Sequence, residues 1–332
     1  MDFPKLKGET RLLIEVDLVP LQGTRFQPTG FPDLGAATYT LPDLKTQMLF
    51  VESAQSVANR LEATIWDEVA EDVVEPLRGI SYVKVNQGDR MLTNSLLEAH
   101  RIASPYILGT KSQKTPFFEE FKRQFNTSSS GETNFHSRSQ LLARYDINCL
   151  LHGVFLLDEK LAGGRFRLAR ALSGFIEAKN IAVVSSGGLK NDHIDPTGKA
   201  DGKGGSEEKF GNVIYHREEY TAEEIKAYFN LDLAQIRGYR LDTEVENLLI
   251  AIALYKIRCF LEQGLRLRTA CDLDYTKITV KRPTSFTLPD RKTLEKALPK
   301  LVAAATNIFA NPPVTSVNYS PRVKNTTSKE QE

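Results

Sequence analysis

The most reactive-looking stretch in this 332-residue chain is Asn191-Asp192-His193-Ile194-Asp195. Two carboxylates and an imidazole so close together can hold a hard metal or move a proton. Asn and Asp equally favour tight turns, and the cluster opens into a glycine-rich stretch, so a polar turn is the plainer reading. That stretch, Gly198-Lys199-Ala200-Asp201-Gly202-Lys203-Gly204-Gly205-Ser206, has the composition of a phosphate loop without its spacing. A Walker motif needs Gly-Lys followed directly by Ser or Thr and a longer gap between its key glycines. There is no Gly-x-Ser-x-Gly elbow and no dinucleotide fingerprint. His100, His136, His152, His193 and His216 are scattered, and none pairs with another at metal-ligand spacing. Cys149, Cys259 and Cys271 are odd in number and form no C-x-x-C pair. They point to buried free thiols in a reducing cytoplasm, not to a disulfide framework or a zinc site. The expectation is a chain with no catalytic set, no metal and no cofactor.

Residues suited to nucleic acid are better placed. Arg25 and Gln27 lie in a polar loop after the first strand, and Ser53, Gln55, Ser56, Asn59 and Arg60 open the first clear helix. A helix N-terminus offers unpaired N–H groups and positive potential, a ready phosphate site, and small polar residues there let a backbone approach. The alternative is that Ser53 simply caps the helix and Arg60 makes a surface ion pair. Arg165, Arg167 and Arg170, then Arg266 and Arg268, form two short basic stripes, each placed on one side of a sheet by alternation. No aromatic RNP-one consensus accompanies them, so contact with the nucleic-acid backbone is expected, without base readout. Between Arg101 and Arg144 seven basic residues stand against three acidic ones, either a solvated loop or a further RNA contact.

These residues need a scaffold, and the pattern of apolar positions supplies one. Arg11 to Val19 reads as a strand stopped by Pro20, Met48 to Val51 as a short extended segment, and Ser53 to Val69 as a helix. Residues 86–140 read as irregular apart from a helical patch at Ser95 to Ile102, with Gly109 to Ser139 a mobile insertion. Asp146 to Leu156 reads as a strand, and Arg165 to Leu172 as a strand or the start of a short helix. Ile181 to Val184 and Val213 to Tyr215 read as the arms of a hairpin around a Ser185 to Gly211 loop. Glu223 to Phe229 and Val245 to Leu261 read as helices, with Thr243 and Glu246 in a capping-box pattern. Leu265 to Thr269 and Tyr275 to Val280 follow as strands, Leu294 to Phe309 as a last helix, and a polar, frayed tail after Pro312. Reduced to order, this is the βαββαβ pattern of an α+β, ferredoxin-like and RRM-like sheet with large inserted loops. It implies one domain over residues 1–312, with insertions at 109–139 and 185–211, and a flexible tail over 313–332.

Composition sets the remaining bounds. Hydrophobic residues make up 41%, enough for a substantial core and too many for global disorder. Forty-three basic residues balance 42 acidic ones for a net charge of +1, which leaves room for a basic face without demanding one. Asp2, Lys5, Lys7 and Glu9 precede any apolar run, and no run approaches the length that spans a bilayer. A soluble, cytoplasmic protein with no membrane partner is expected.

Several of these segments are similar to one family. Val51-Glu52-Ser53-Ala54-Gln55-Ser56-Val57-Ala58-Asn59-Arg60-Leu61-Glu62 resembles the signature first helix of type I-G (formerly I-U) CRISPR RAMP proteins, the Cas-seven-like backbone subunit of Cascade. Leu13 to Leu18 with Gln22 to Pro32, Thr93 to Arg101 ending in Ser104-Pro105-Tyr106-Ile107, and Gly264 to Leu273 share the likeness, which runs over most of residues 11–281. The resemblance implies an RRM-like palm with an inserted thumb, and adds Thr24, Asn94, His100 and Arg101 to the RNA-binding candidates. Copies would line up head to tail along one CRISPR RNA and present it for pairing with a target DNA strand. Partners would be further copies, the Cascade large subunit, and a fused end-capping and RNA-processing subunit. Such backbone subunits are generally non-catalytic in type I systems. The rival is a RAMP-fold endoribonuclease acting on guide or target RNA through Asp192, His193 or Asp195. For the thumb, Ser185 to Gly211 is preferred, with Ile194 and Phe210 as wedges between bases. The other insertion, Gly109 to Ser139, carries Phe117, Phe118, Phe121 and Phe125 and is its competitor.

Overall fold

The computed structural model describes residues 2–31, 35–110, 114–126, 135–161, 164, 166–194, 196–197 and 211–319. In chain order its principal elements are β1 (Arg11–Pro20), β2 (Thr38–Thr40), β3 (Gln47–Glu52), α1 (Ala54–Ala63), β4 (Tyr82–Gln87) and β5 (Arg90–Asn94). Then come α2 (Pro116–Phe125), α3 (Phe135–Tyr145), β6 (Val154–Leu156), β7 (Phe166–Leu168), β8 (Leu172–Lys190) and β9 (Val213–Asp232). The last are α4 (Thr243–Gln263), β10 (Arg266–Arg268), β11 (Cys271–Arg282), α5 (Arg291–Ala304) and β12 (Val314–Asn318). The fold is mixed α+β around a curled antiparallel sheet of order β10-β11-β1-β9-β8-β3-β2. Four strands and two helices form its frame. Along the chain they run β1, α1, β8, β9, α4, β11, and in space the strands lie β11-β1-β9-β8.

Strict alternation makes this sheet one-sided. On β1, Leu12, Ile14, Val16 and Leu18 are buried while Glu15 and Asp17 face out. On β9, Ile225, Ala227, Phe229 and Leu231 point inward between Lys226, Tyr228 and Asn230. That period of two corrects the expected helix at Glu223 to Phe229: the segment has strand alternation, and it pairs with β1 and β8. Helices α1 and α4 pack on the buried side, and α4 is apolar almost all round because α5 covers its far face. Among the described residues no helix is long and apolar enough to cross a membrane.

Other boundaries move for local reasons. Helix α1 stops at Ala63, where the Thr64 N–H closes on the Arg60 carbonyl and Trp66–Asp67 turns into a small antiparallel pair with Asp72–Val73. The expected strand at Asp146 to Leu156 is mostly a helical turn, Cys149–His152, ended by Gly153 at φ 78°. A Cβ on Gly153 would stand 2.6 Å from the Leu168 carbonyl oxygen, so only glycine lets β6 begin there. The expected mobile insertion at Gly109 to Ser139 contains α2 and the start of α3. Phe118, Phe121 and Phe125 of α2 are buried, and Thr115 caps the helix by accepting from the Phe118 N–H at 3.1 Å. Residues 314–318, expected to lie in a flexible tail from 313, instead form β12, which pairs in parallel with β4 from Val314↔Tyr82 to Asn318↔Asn86.

The loop expected from Ser185 also begins late. Strands β8 and β9 stay paired out to Lys190↔Val213. Beyond Ile181 and Ala222 they pair with each other, apart from a bridge between Tyr220 and Phe26, so they leave the sheet as a two-stranded ribbon. Much of its apolar surface stays in water: Val183, Leu189, Ile214 and Tyr215 are all at least half exposed. Asn180, at φ 51°, sits where the ribbon departs and donates to the Glu223 carboxylate.

Candidate nucleic-acid interface

The N-terminus of α1 gathers most of the predicted site. Ser53 caps the helix, accepting from the Ser56 N–H at 3.3 Å, so the capping role read as an alternative is present. Gln55 donates to Asn59 at 2.9 Å and accepts from Arg170, which brings one end of the first basic stripe to the first helix. Arg60 and Arg268 meet on the carboxylate of Glu52, the last residue of β3, which is 1% exposed. Ser56 donates to the same carboxylate. The loop after β1 is tied in by Phe26, whose N–H and carbonyl pair with Tyr220 at 2.9 and 2.8 Å where the ribbon begins. Arg25 then reaches Glu219 at 3.1 Å, and Arg217 holds the other oxygen of that carboxylate at 3.1 Å. Thr24 and Arg25 line a small cleft with Thr269 and Asp272. A larger cleft of about 610 Å³ lies between loop and ribbon, with Gln27, Thr29, His216, Arg217, Tyr220 and Arg268 in its wall.

Other predicted residues are elsewhere or differently employed. Arg101 is buried, with Nε and Nη2 both 2.6 Å from the Glu62 carboxylate and Nη1 3.2 Å from the Gly153 carbonyl. Its charge is paired inside the protein with the Glu62 carboxylate. Asn94 is also buried, and its Oδ1 accepts from the Leu96 and Leu97 N–H groups as a turn residue. His100 is exposed beside them. Arg167 lies over the Phe155 ring at 5.7 Å, and Arg266 stands in register with Asp272 at the sheet edge. Ile194 is 96% exposed. Asp192 accepts from the Ile194 N–H at 2.9 Å and from Gly211 at 3.3 Å, the turn role read as the plainer alternative. His193 is exposed. Arg165, Asp195 and Phe210 lie outside the described residues.

The sequence reading missed three things. Glu52 was passed over because an acid at the end of an apolar run looks like a surface position; its spacing to Ser56 and Arg60 was the available signal. Glu219 and Arg217 were hidden by the expected end of the hairpin arm at Tyr215. Four aromatic residues, Tyr39, Phe50, Phe175 and Tyr228, also form a row across neighbouring strands on the open face of the sheet, with centroids 5.7, 6.2 and 5.0 Å apart. Phe175 and Tyr228 stack on one another at 22°, so their faces are turned to each other and not to incoming bases.

Behind α1 lies a buried polar network. Asn148 donates to Glu62 at 2.9 Å and accepts from Lys256, whose Nζ also faces His152 Nε2 at 2.9 Å. While Lys256 is protonated its ammonium only donates, and Nε2 is then the acceptor. Burial pushes the Lys256 amine down to about 7. Its unfolded value is near 10.4, so the unfolded chain binds more protons between these limits and the native state gains stability as pH rises through them. Compared with Lys256→Met, the parent should therefore gain on the order of 1 kcal/mol per pH unit between about pH 7.5 and 9.5 in urea unfolding. Parallel stability curves would contradict this.

Residues 12–183 match the family model described as CRISPR-associated protein GSU0053 (Cas_GSU0053). No curated protein matches the chain. Among solved structures it is similar to one titled "CRISPR RNA-guided surveillance complex, pre-nicking", at 13% identity over 82% of this chain and 75% of that chain, with a TM-score of 0.42. It is also similar to "Crystal structure of Thermofilum pendens Csc2", at 10% identity over 91% of this chain and 79% of that chain, with a TM-score of 0.31.

Proposed function

The chain belongs to the CRISPR-associated protein GSU0053 family, and from that premise we propose that it is a non-catalytic, RNA-binding backbone subunit of a type I-G Cascade complex. The observation that carries this reading is the grouping of Gln55, Ser56, Asn59 and Arg60 on α1 with Arg170, and of Arg25 and Arg217 on Glu219, beside a protruding ribbon. Amides, hydroxyls and guanidiniums suit a phosphodiester backbone, and they offer no base-specific set. Sequence specificity would come from guide–target pairing, as in other RNA-guided systems. The spatial order β11-β1-β9-β8, with α1 and α4 between the strands, supports an RRM-like palm of the RAMP kind. The ribbon is the thumb in this reading, since α2 and α3 of the competing insertion are packed into the core.

Copies of the subunit coat one CRISPR RNA head to tail in the cytoplasm and present it to a target DNA strand. The large subunit and the fused end-capping and RNA-processing subunit are its other partners. A contact that does not close on itself grows with its template. Particles reconstituted on guides of increasing length should therefore gain mass in equal steps, each one subunit, by native mass measurement. A mass independent of guide length would overturn the assembly. Incubation of the particle with target RNA and magnesium should leave the RNA intact. Cleavage abolished by Asp192→Asn would restore the nuclease reading.

A further inference from the structure

Glu52 separates two arginines that look equivalent in sequence. A guanidinium carries five N–H donors. Arg268 commits Nη1 to the Gln27 carbonyl at 2.8 Å and the Val51 carbonyl at 3.4 Å, and Nη2 to Glu52. It also interacts with the Cys271 thiol. Arg60 commits Nε to Glu52 at 3.3 Å and one Nη2 hydrogen to the Leu267 carbonyl at 2.5 Å. Its Nη1 has no partner among the described residues, and its side chain is 30% exposed. Two guanidiniums on one buried carboxylate leave a single net positive charge; the side chains are 30% and 24% exposed, and Arg60 is the one with a whole Nη group unpartnered among the described residues.

We propose that Glu52 is a positioning residue of the RNA site: it locks Arg268 into the scaffold and turns the unused edge of Arg60 outward, so that only one of the two arginines meets phosphate. The inference rests on the RNA-binding reading above. Ser56, which donates to the same carboxylate from the first turn of α1, ties that edge to the helix N-terminus, where amide groups and the guanidinium can share one phosphate.

The test measures affinity of the full chain for a short uridine homopolymer as a function of KCl concentration. Each phosphate contact contributes about 0.7 to the slope of log K against log salt for a single strand. Arg60→Ala should flatten the slope by about that amount, whereas Arg268→Ala should leave the slope unchanged and lower the melting temperature. Glu52→Gln should steepen it by about 0.7, because Arg268 is released. A purely structural ion pair would move stability and leave all slopes alike. The proposal falls if Arg268→Ala flattens the slope as Arg60→Ala does, or if Glu52→Gln leaves it unchanged. Phenylglyoxal labelling of the unmutated chain decides the matter even if a variant fails to fold. Arg60 should react and Arg268 should not, and equal reaction would overturn the assignment. If the parent binds no RNA, the functional reading fails, while the labelling contrast still judges the geometry.

Discussion

Replacing Arg101 with alanine should destabilise the protein by about 3–5 kcal/mol, the usual effect of removing one partner from a buried ion pair. Glu62 would be left with its negative charge, its remaining donor Asn148, and no counter-cation in contact. The Gly153 carbonyl would lose its donor at the same time. Arg101→Lys should recover only part of the loss, because an ammonium cannot make the paired contacts that Nε and Nη2 make. Urea unfolding monitored by circular dichroism measures the effect. The salt slope of RNA binding, measured on protein that remains folded, should equal that of the parent. A loss of stability below about 1 kcal/mol, or a flatter slope, would return Arg101 to the RNA site.

The ribbon offers the second large effect. Replacing residues 186–217 with Asn-Gly would join Ser185 to Glu218, which are already paired, through a turn suited to a two-residue hairpin. The Phe26–Tyr220 pairing and the Glu219 carboxylate stay in place. Among the described residues of this stretch little packed surface is removed, so the melting temperature should fall by no more than a few degrees. RNA affinity should fall more than tenfold, through loss of Arg217 and of the apolar side chains available to stack or wedge. Stepwise growth on long guides should stop. Parental affinity and growth would mean that the ribbon is not the thumb.

The frame of the sheet was legible because its strands and helices keep one period over many residues. Leu12, Ile14, Val16 and Leu18 announce a strand in any context. Glu223 to Phe229 differs from the expected helix because its charged residues, Glu223, Glu224 and Lys226, mask an alternation visible only once Ile225, Ala227 and Phe229 are counted by twos. In Asp146 to Leu156 the controlling fact is backbone crowding at Gly153, which pattern cannot reveal. The candidate site was legible where residues are neighbours in sequence, as from Ser53 to Arg60. It was illegible where function depends on which donors are already engaged. Arg60, Arg101 and Arg268 look alike on paper; Glu52 and Glu62 distinguish them, and the spacing of apolar positions does not mark either acid as buried.

The position of β1 has a consequence for synthesis. This strand is an interior strand of the sheet, yet its partners are Ile225 to Asp232 and Leu273 to Arg282. At typical translation rates of about 5–20 residues per second, β1 waits roughly 10–40 seconds after it is made before β9 exists. During that interval Leu12, Ile14, Val16 and Leu18 have no strand to join, and both backbone edges are open to any passing chain. The newborn polypeptide is thus a natural client for a chaperone that shields extended apolar segments. Slowing the ribosome along the ribbon codons should raise the fraction that aggregates.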